Sequence, residues 1–210
     1  MRNYQFTNTW FQTAAKPTWD QLIPDLSPTK ILEVGSYEGA STCYLIDNLA
    51  NTKKLEVHCV DSWEGGIEHQ QGGSAIADMS QVESRFLNNT NISISNSVHE
   101  VNLFLHKGYS DRQLSKIYAE KGEGYFDFIY IDGSHQAPDV LCDAILAFKL
   151  LKKNGVIVFD DYLWQEQLSY GVDPLRSPKI AIDFFTIVFC RQLGIIQAPL
   201  YQLYVQKISD

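Results

Sequence analysis

The feature that constrains this chain most is a short apolar run that recurs five times, each closing on a glycine or an acid. The runs are KILEV (Lys30 to Val34), LEVHCV (Leu55 to Val60), VNLFLHKG (Val101 to Gly108), YFDFIYI (Tyr125 to Ile131) and VIVF (Val156 to Phe159). Nearly continuous apolar character is what a strand buried on both faces looks like, whereas half-exposed antiparallel strands alternate. Helical patterns separate most of the runs, and that alternation builds βαβ units around a parallel sheet. The chain is therefore expected to be α/β, with a doubly wound, mostly parallel sheet and helices on both faces.

The helical patterns are legible between the runs. One passes through STCYLIDNLA after Gly35, and another starts near Asp111. Val140, Leu141, Ala144, Ile145, Phe148 and Leu151 repeat at helical spacing and give one apolar stripe to lay on a sheet. Lys152 and Lys153 complement the carboxyl end of that helix, and Asn154-Gly155 suits a left-handed exit. Ser177-Pro178 can cap and open a further helix over Ile180 to Cys190. Strand-like pieces follow around Ile195-Ile196 and from Tyr201 to Val205. Residues 1–29 are read as a helical or irregular extension and 30–210 as one domain. The stretch 64–80, rich in Gly, Gln, Ser and His, is too polar for a core element and long for an idle connection, so it is expected to be a lid loop.

Composition narrows the function classes. With 210 residues the chain suits one sizeable domain, and its formal net charge of -8 argues against a phosphate-neutralising nucleic-acid surface. No apolar stretch approaches the length of a membrane span, and the first residues lack a secretory leader pattern. Cys43, Cys59, Cys142 and Cys190 are scattered without a C-x-x-C pair and read as small buried hydrophobes in a reducing compartment. These readings predict a cytoplasmic protein with no nucleic-acid or membrane partner. Trp10, Phe11 and Tyr201 stand either for a homo-oligomer contact or for packing within the domain.

In open α/β sheets ligands sit outside the carboxyl ends of the strands. Here Glu33-Val-Gly35, Asp61, Asp132 and Asp160-Asp161 stand at such ends. The first turn, EVGSYEGAST, places Tyr37 where a dinucleotide fingerprint needs its second glycine, and it lacks the Lys-Ser/Thr ending of a triphosphate loop. It suits a ligand without a pyrophosphate and disfavours a nicotinamide oxidoreductase. Asp132 and His135 lie three apart across a Gly-Ser turn, with Asp160 and Asp161 on the neighbouring strand end, and adjacent strands run ~5 Å apart. Close carboxylates repel unless a proton or a cation sits between them, and oxygen donors suit Mg²⁺, Mn²⁺ or Ca²⁺. The alternative is that one aspartate caps the next element while the other is solvated. His135, with a near-neutral reference pKa, is a candidate general base. His58 and His106 fall within strands and read as satisfied core or edge residues; His69, in the loop, is a candidate substrate contact; His99 carries no signal.

E-x-G-x-x-x-G followed by a helix resembles the first motif of class I S-adenosylmethionine-dependent methyltransferases. From Ile31 to Tyr162 the order of the glycine turn, VDSWEGG, KGYS, IDGSH and FDDY is similar to the family of macrocin and mycinamicin sugar O-methyltransferases and cephalosporin-hydroxylase-like proteins. The resemblance implies a Rossmann-like, seven-stranded sheet with a C-terminal antiparallel strand, and S-adenosylmethionine as cofactor. It implies that the turn (Glu33, Gly35, Ser36, Tyr37, Gly39, Ser41) receives the methionine part of the cofactor and that Asp61 receives the ribose. It further places Ser62, Trp63, Lys107, Gly108, Ser110 and Asp132 near the cofactor or lid. Asp132, Asp160 and Asp161 would bind Mg²⁺, and His135 would act as base, with Asp132 beside it in the catalytic set. The expected function is O-methylation of a small hydroxylated molecule, a sugar or natural product. A metal-independent methyltransferase and a non-catalytic cofactor-binding or assembly protein of the same fold remain alternatives.

Overall fold

The computed structural model describes residues 3–71, 73 and 75–210. Its sheet has seven strands: β1 (Lys30–Val34), β2 (Leu55–Asp61), β3 (Val101–Lys107), β4 (Phe126–Ile131), β5 (Leu151–Phe159), β6 (Leu193–Ile196) and β7 (Leu203–Lys207). They lie in the order β3-β2-β1-β4-β5-β7-β6. Strands β1 to β5 pair in parallel, and β7 runs antiparallel between β5 and β6. The helices are α1 (Trp10–Ala14), α2 (Lys16–Leu26), α3 (Ala40–Leu49), α4 (Val82–Ser95), α5 (Ser110–Lys121), α6 (Ala137–Leu150) and α7 (Lys179–Val188). One core joins the sheet to α5, α6 and α7, and a second joins its other face to α2, α3 and α4. The Rossmann-like architecture and its antiparallel strand are as expected.

Strand order reverses between β1 and β4, which makes their carboxyl ends the natural crevice. Gly35 shows how closely the two ends meet. At φ +84° a Cβ there would lie 2.0 Å from the Asp132 carbonyl oxygen, so only glycine fits. The approach is pinned by Asp132 N–H donating to Val34 O (2.7 Å) and Gly35 N–H donating to Val60 O (2.8 Å).

The amino-terminal residues cover the sheet. Trp19 in α2 is fully buried, packs edge-on against Tyr130 (4.8 Å between centroids) and Phe128 (5.5 Å), and donates its indole N–H to Gln202 Oε1 (3.2 Å). Phe11 packs against Trp19 and Tyr44, whereas Trp10 is half exposed.

Three local expectations are corrected, and one helix without a sequence expectation is added. Helix α6 stops at Leu150 and the chain runs straight into β5, because Leu151 is fully buried and pairs with Phe126; the left-handed residue Asn154 (φ +66°) sits in a bulge before Val156 rejoins Phe128. Strand β3 is an edge, with Phe104 and Leu105 exposed, so its apolar run is not buried on both faces. Helix α4 gives no periodic signal because three of its five buried residues are polar: Asn89 donates to Glu38 O (2.9 Å), Thr90 to Phe86 O (2.8 Å) and Ser93 to Asp47. Among the cysteines, Cys43 and Cys59 are buried, but Cys142 is half-buried and Cys190 exposed. Among the described residues no helix is long and apolar enough to cross a membrane.

Candidate active site

A cavity of about 870 Å³ opens over the carboxyl ends of β1 to β5, with Gly35, Tyr37, Asp61, Asp132, His135, Asp160 and Asp161 on its wall. Asp61 organises the turn beside it. One carboxylate oxygen accepts from the backbone N–H of Ser36 (2.7 Å) and of Tyr37 (2.9 Å), and the other accepts from Trp63 (2.6 Å). Burial raises the Asp61 pKa against the pull of those three donors. Tyr37 takes a left-handed conformation (φ +46°) to present two successive N–H groups to one oxygen.

Several residues expected at the cofactor do not line the cavity. Glu33 is fully buried beneath the turn, where it accepts from Ser41 Oγ (2.5 Å) and from Thr42, and burial raises its pKa. Glu33 and Ser41 therefore tie β1 to α3. Gly39 caps α3, with Phe86 3.0 Å from where a Cβ would stand. Trp63 packs on Phe86 and donates its indole N–H to the Tyr37 carbonyl (3.0 Å), while Lys107 pairs with Glu83 in solvent (2.6 Å). Ser36 is buried away from the cavity wall. Ser62, Gly108 and Ser110 do line it.

At the other end, Asp132, Asp160 and Asp161 each offer a carboxylate oxygen, all within 4.8 Å of one another. Tyr130 bridges two of them, its hydroxyl lying 2.6 Å from Asp160 Oδ2 and 3.0 Å from Asp132 Oδ2. Gln202 donates to Asp160 Oδ1 (2.7 Å). Burial, followed by the charges of Asp160 and Asp161, raises the Asp132 pKa well above the ordinary carboxylate value. Burial and the adjacent Asp161 push Asp160 up to about 6. Such a group is frustrated until a proton or cation shares its charge.

His135 stands between two acids. Its Nε2 is 2.8 Å from Asp161 Oδ2 and its Nδ1 2.9 Å from Glu68 Oε1. Burial works to lower the imidazole pKa, but the two carboxylates override it and hold it at about 10. The ring also lies against Trp164 (4.2 Å between centroids). Glu68 belongs to the loop 64–80 and is nevertheless buried. Positions 72 and 74 of that loop lie outside the described residues, as do residues 1 and 2 of the amino-terminal extension. His69 lines the cavity, and its Nδ1 accepts from Gly66 N–H (3.0 Å).

The sequence brought Asp132, His135, Asp160 and Asp161 to one place, and the structure does join them. It did not single out Glu68, Tyr130, Trp164 or Gln202. Tyr130 was legible in principle, since a residue two before Asp132 along a strand shares its face. Glu68, Trp164 and Gln202 left no such signal, because loops and the turn just before β7 bring them in.

Comparison with known proteins gives a family and a fold. Residues 32–162 match the family model described as a methyltransferase domain. An uncharacterized protein, R132, of Acanthamoeba polyphaga mimivirus is 27% identical over 76% of this chain and 66% of its own length. A probable caffeoyl-CoA O-methyltransferase of Dictyostelium discoideum is 25% identical over 76% of this chain and 57% of its own. The chain thus spans less than two thirds of the length of these relatives. The O-methyltransferase of Bacillus cereus, solved in complex with S-adenosylhomocysteine, is 20% identical, with a TM-score of 0.62 over 90% of this chain and 79% of that one.

Proposed function

The chain belongs to the methyltransferase-domain family, and from that premise we propose that it is an S-adenosylmethionine-dependent O-methyltransferase acting on a hydroxyl of a small molecule. The observation that carries this reading is His135, fixed by Glu68 and Asp161 on a cavity wall that also holds a three-carboxylate cluster. When bound, the cofactor supplies an electrophilic methyl on sulfonium. In this reading Asp61 keeps lone pairs free to accept from the ribose hydroxyls, while the Gly35 turn faces the methionine part.

Asp132, Asp160 and Asp161 fit a hard divalent cation by donor type and spacing, and Mg²⁺ held there would favour ionisation of the acceptor hydroxyl. Glu68 holds the Nδ1 proton of His135, and with Asp161 also in place the imidazole keeps a second proton on Nε2, so Nε2 becomes the basic atom only after Asp161 is drawn off it and that proton has left. Nε2 now faces Asp161, so an acceptor hydroxyl must take the place of that carboxylate to deliver its proton. Trp164 limits tilt of the ring. The remaining catalytic power is alignment of the acceptor oxygen with the methyl. We read 64–80 as the lid, residues 30–210 as one domain with 1–29 as its extension, and the protein as cytoplasmic. A sugar or other diol-bearing natural product suits a cavity of this size lined by paired acids.

A metal-independent variant of the reaction has its own support: Tyr130, Gln202 and His135 already satisfy part of the carboxylate cluster. Calorimetry with S-adenosylhomocysteine and then Mg²⁺, followed by transfer of labelled methyl from S-adenosylmethionine to a panel of glycosides and catechols, tests both versions. Cofactor binding with chelator-sensitive transfer is expected. Transfer that survives a chelator supports the metal-free version, and absence of cofactor binding overturns the reading altogether.

A further inference from the structure

Helix α7 is apolar on two sides. Ala181, Ile182 and Phe185 are buried in the core that joins the sheet to α5 and α6, which is the one apolar side a surface helix needs. Ile180, Phe184, Ile187 and Val188 stand at i, i+4, i+7 and i+8, so they form a second stripe, and this one faces solvent. Ile195 of β6 stands on the sheet face that α7 covers, two residues from buried Leu193, which shares its core with Phe185. The five side chains are 38% to 69% exposed. Single exposed apolar residues are ordinary, whereas a periodic stripe beside an edge strand is a patch that asks for cover.

The two edges of the sheet differ in the same sense. Strand β3 is guarded: Lys121 lies over the Phe104 ring at 5.5 Å, and Lys107 pairs with Glu83. Charged side chains of this kind blunt an edge against pairing with another chain. Strand β6, at the other edge, reads LGII and holds neither charge nor proline. From Lys179 to Leu200 the sequence has three charged residues, Lys179, Asp183 and Arg191, a net of +1 in a chain of net charge -8. Lys179 and Asp183 already pair with each other and with Tyr162.

We propose that α7 and the β6 edge form the contact of a two-fold homodimer, with the stripe of one copy laid on the same stripe of the other. Area supports a second copy. A standard interface takes about 800 Å² from each partner, about 60% of it apolar, so about 500 Å² of apolar surface per copy. Five large side chains exposed to this degree present an area of that order. Charge supports it too, since this near-neutral stretch is where two copies of charge -8 can meet with least repulsion. A lipid surface would call for lysines and arginines around the stripe, and they are missing there. A two-fold contact needs only one self-complementary patch, and helices pack on one another through rows at this spacing. The contact is thus placed away from Trp10 and Tyr201, which line the cavity, and it stands independently of the methyl-transfer reading.

Sedimentation equilibrium on the full chain tests the assignment, with Phe184→Glu, Ile187→Glu and, at the guarded edge, Leu105→Glu. Wild type is expected to be dimeric at micromolar concentration. Phe184→Glu and Ile187→Glu should each weaken the dimer at least about a hundred-fold, because two like charges enter a desolvated two-fold contact, and Leu105→Glu should leave it unchanged. Salt is expected to tighten the wild-type dimer by screening the repulsion between copies. In urea the wild-type midpoint should rise with protein concentration, and those of Phe184→Glu and Ile187→Glu should not. A wild type that stays monomeric at about 100 μM overturns the proposal, and pelleting of that monomer with phosphatidylcholine vesicles would assign the stripe to lipid instead. A dimer that survives both stripe variants, or that salt loosens, overturns the apolar contact. Loss of cooperative unfolding in both stripe variants would show that the stripe serves the core of a single copy, and would overturn it as well.

Discussion

Two buried histidine environments in this fold have opposite electrostatic outcomes. His135 has a carboxylate at each ring nitrogen, Glu68 at 2.9 Å and Asp161 at 2.8 Å, and its pKa is held at about 10 although burial alone would lower it. His58 is the more enclosed of the two, but its nitrogens meet Glu56 (2.9 Å) and His106 (2.8 Å), and burial keeps its pKa below the usual value. Glu56 is also shared: Tyr125 donates to it at 2.6 Å and Lys121 lies 3.4 Å away. Two anions, one at each ring nitrogen, overcome desolvation, whereas a single anion shared with Tyr125 and Lys121 does not. The first arrangement stands on a cavity wall beside a carboxylate cluster, and the second on β2 and β3, where Phe104 stacks on His58 at 4.6 Å.

The sharpest way to break the comparison is to remove each imidazole in turn. His135→Gln is expected to slow methyl transfer by about 10²–10⁴-fold, the range for loss of a positioned base, with cofactor affinity unchanged. His106→Gln is expected to leave transfer at the wild-type rate. Turnover of labelled S-adenosylmethionine with an acceptor found in the panel checks both, and equal effects would erase the functional distinction between the two sites.

The next effect belongs to Glu68. If its carboxylate fixes the Nδ1 proton, Glu68→Gln should lower kcat about 10–100-fold, as other orienting partners do, with little change in KM for the cofactor. Glu68→Asp, which keeps the charge, should recover part of the loss. A change confined to KM, with no rescue by aspartate, would reduce Glu68 to a contact that merely packs the loop.

Legibility in the sequence divides along the same line. The five apolar runs and the acids that close them were readable because strand period and strand-end chemistry are local properties. Asp132, His135, Asp160 and Asp161 followed from that register. Glu68 was not readable, since it reaches His135 across 67 positions through a loop with no periodicity. The reading of His58 and His106 as satisfied strand residues agrees with their mutual hydrogen bond across β2 and β3, and Glu56 reaches His58 from two positions earlier on the same strand, whereas Tyr125 comes in from the chain leading into β4. Helix α4 escaped because its buried Asn89, Thr90 and Ser93 interrupt the apolar stripe that marks a helix. Glu33, expected at the cofactor, shows the reverse: a strand-end acid whose side chain turns inward to hold α3.

A smaller effect concerns stability. His58→Ala removes a fully buried ring and leaves Glu56 and His106 each short of a partner, which should cost about 2 to 3 kcal/mol in urea unfolding. His135→Gln should cost less, because Glu68, Asp161 and the cavity are open to compensation by water and by the amide. A larger loss for His135→Gln would mean that this site is built for the fold before it is built for chemistry.

The smallest effect is the pH dependence of the His58–His106 pair, and its sign follows from the direction of the shifts. Burial, reinforced by the charge of His58, lowers the His106 pKa from 6.5 to about 4. The folded protein therefore refuses a proton that the unfolded chain accepts near 6.5. Unfolding takes up protons between those values, so stability is present above about pH 6.5 and is lost as pH falls toward 4. Discounted for the part of the His106 ring that water screens, the loss should be about 1 kcal/mol. Urea unfolding from pH 7 to pH 4 should show this slope in wild type and a flatter one in His106→Gln. An unchanged slope would show that the pair shares its proton too well to resist charging, and that the distance of 2.8 Å between its nitrogens is a stable hydrogen bond in the protonated form as well.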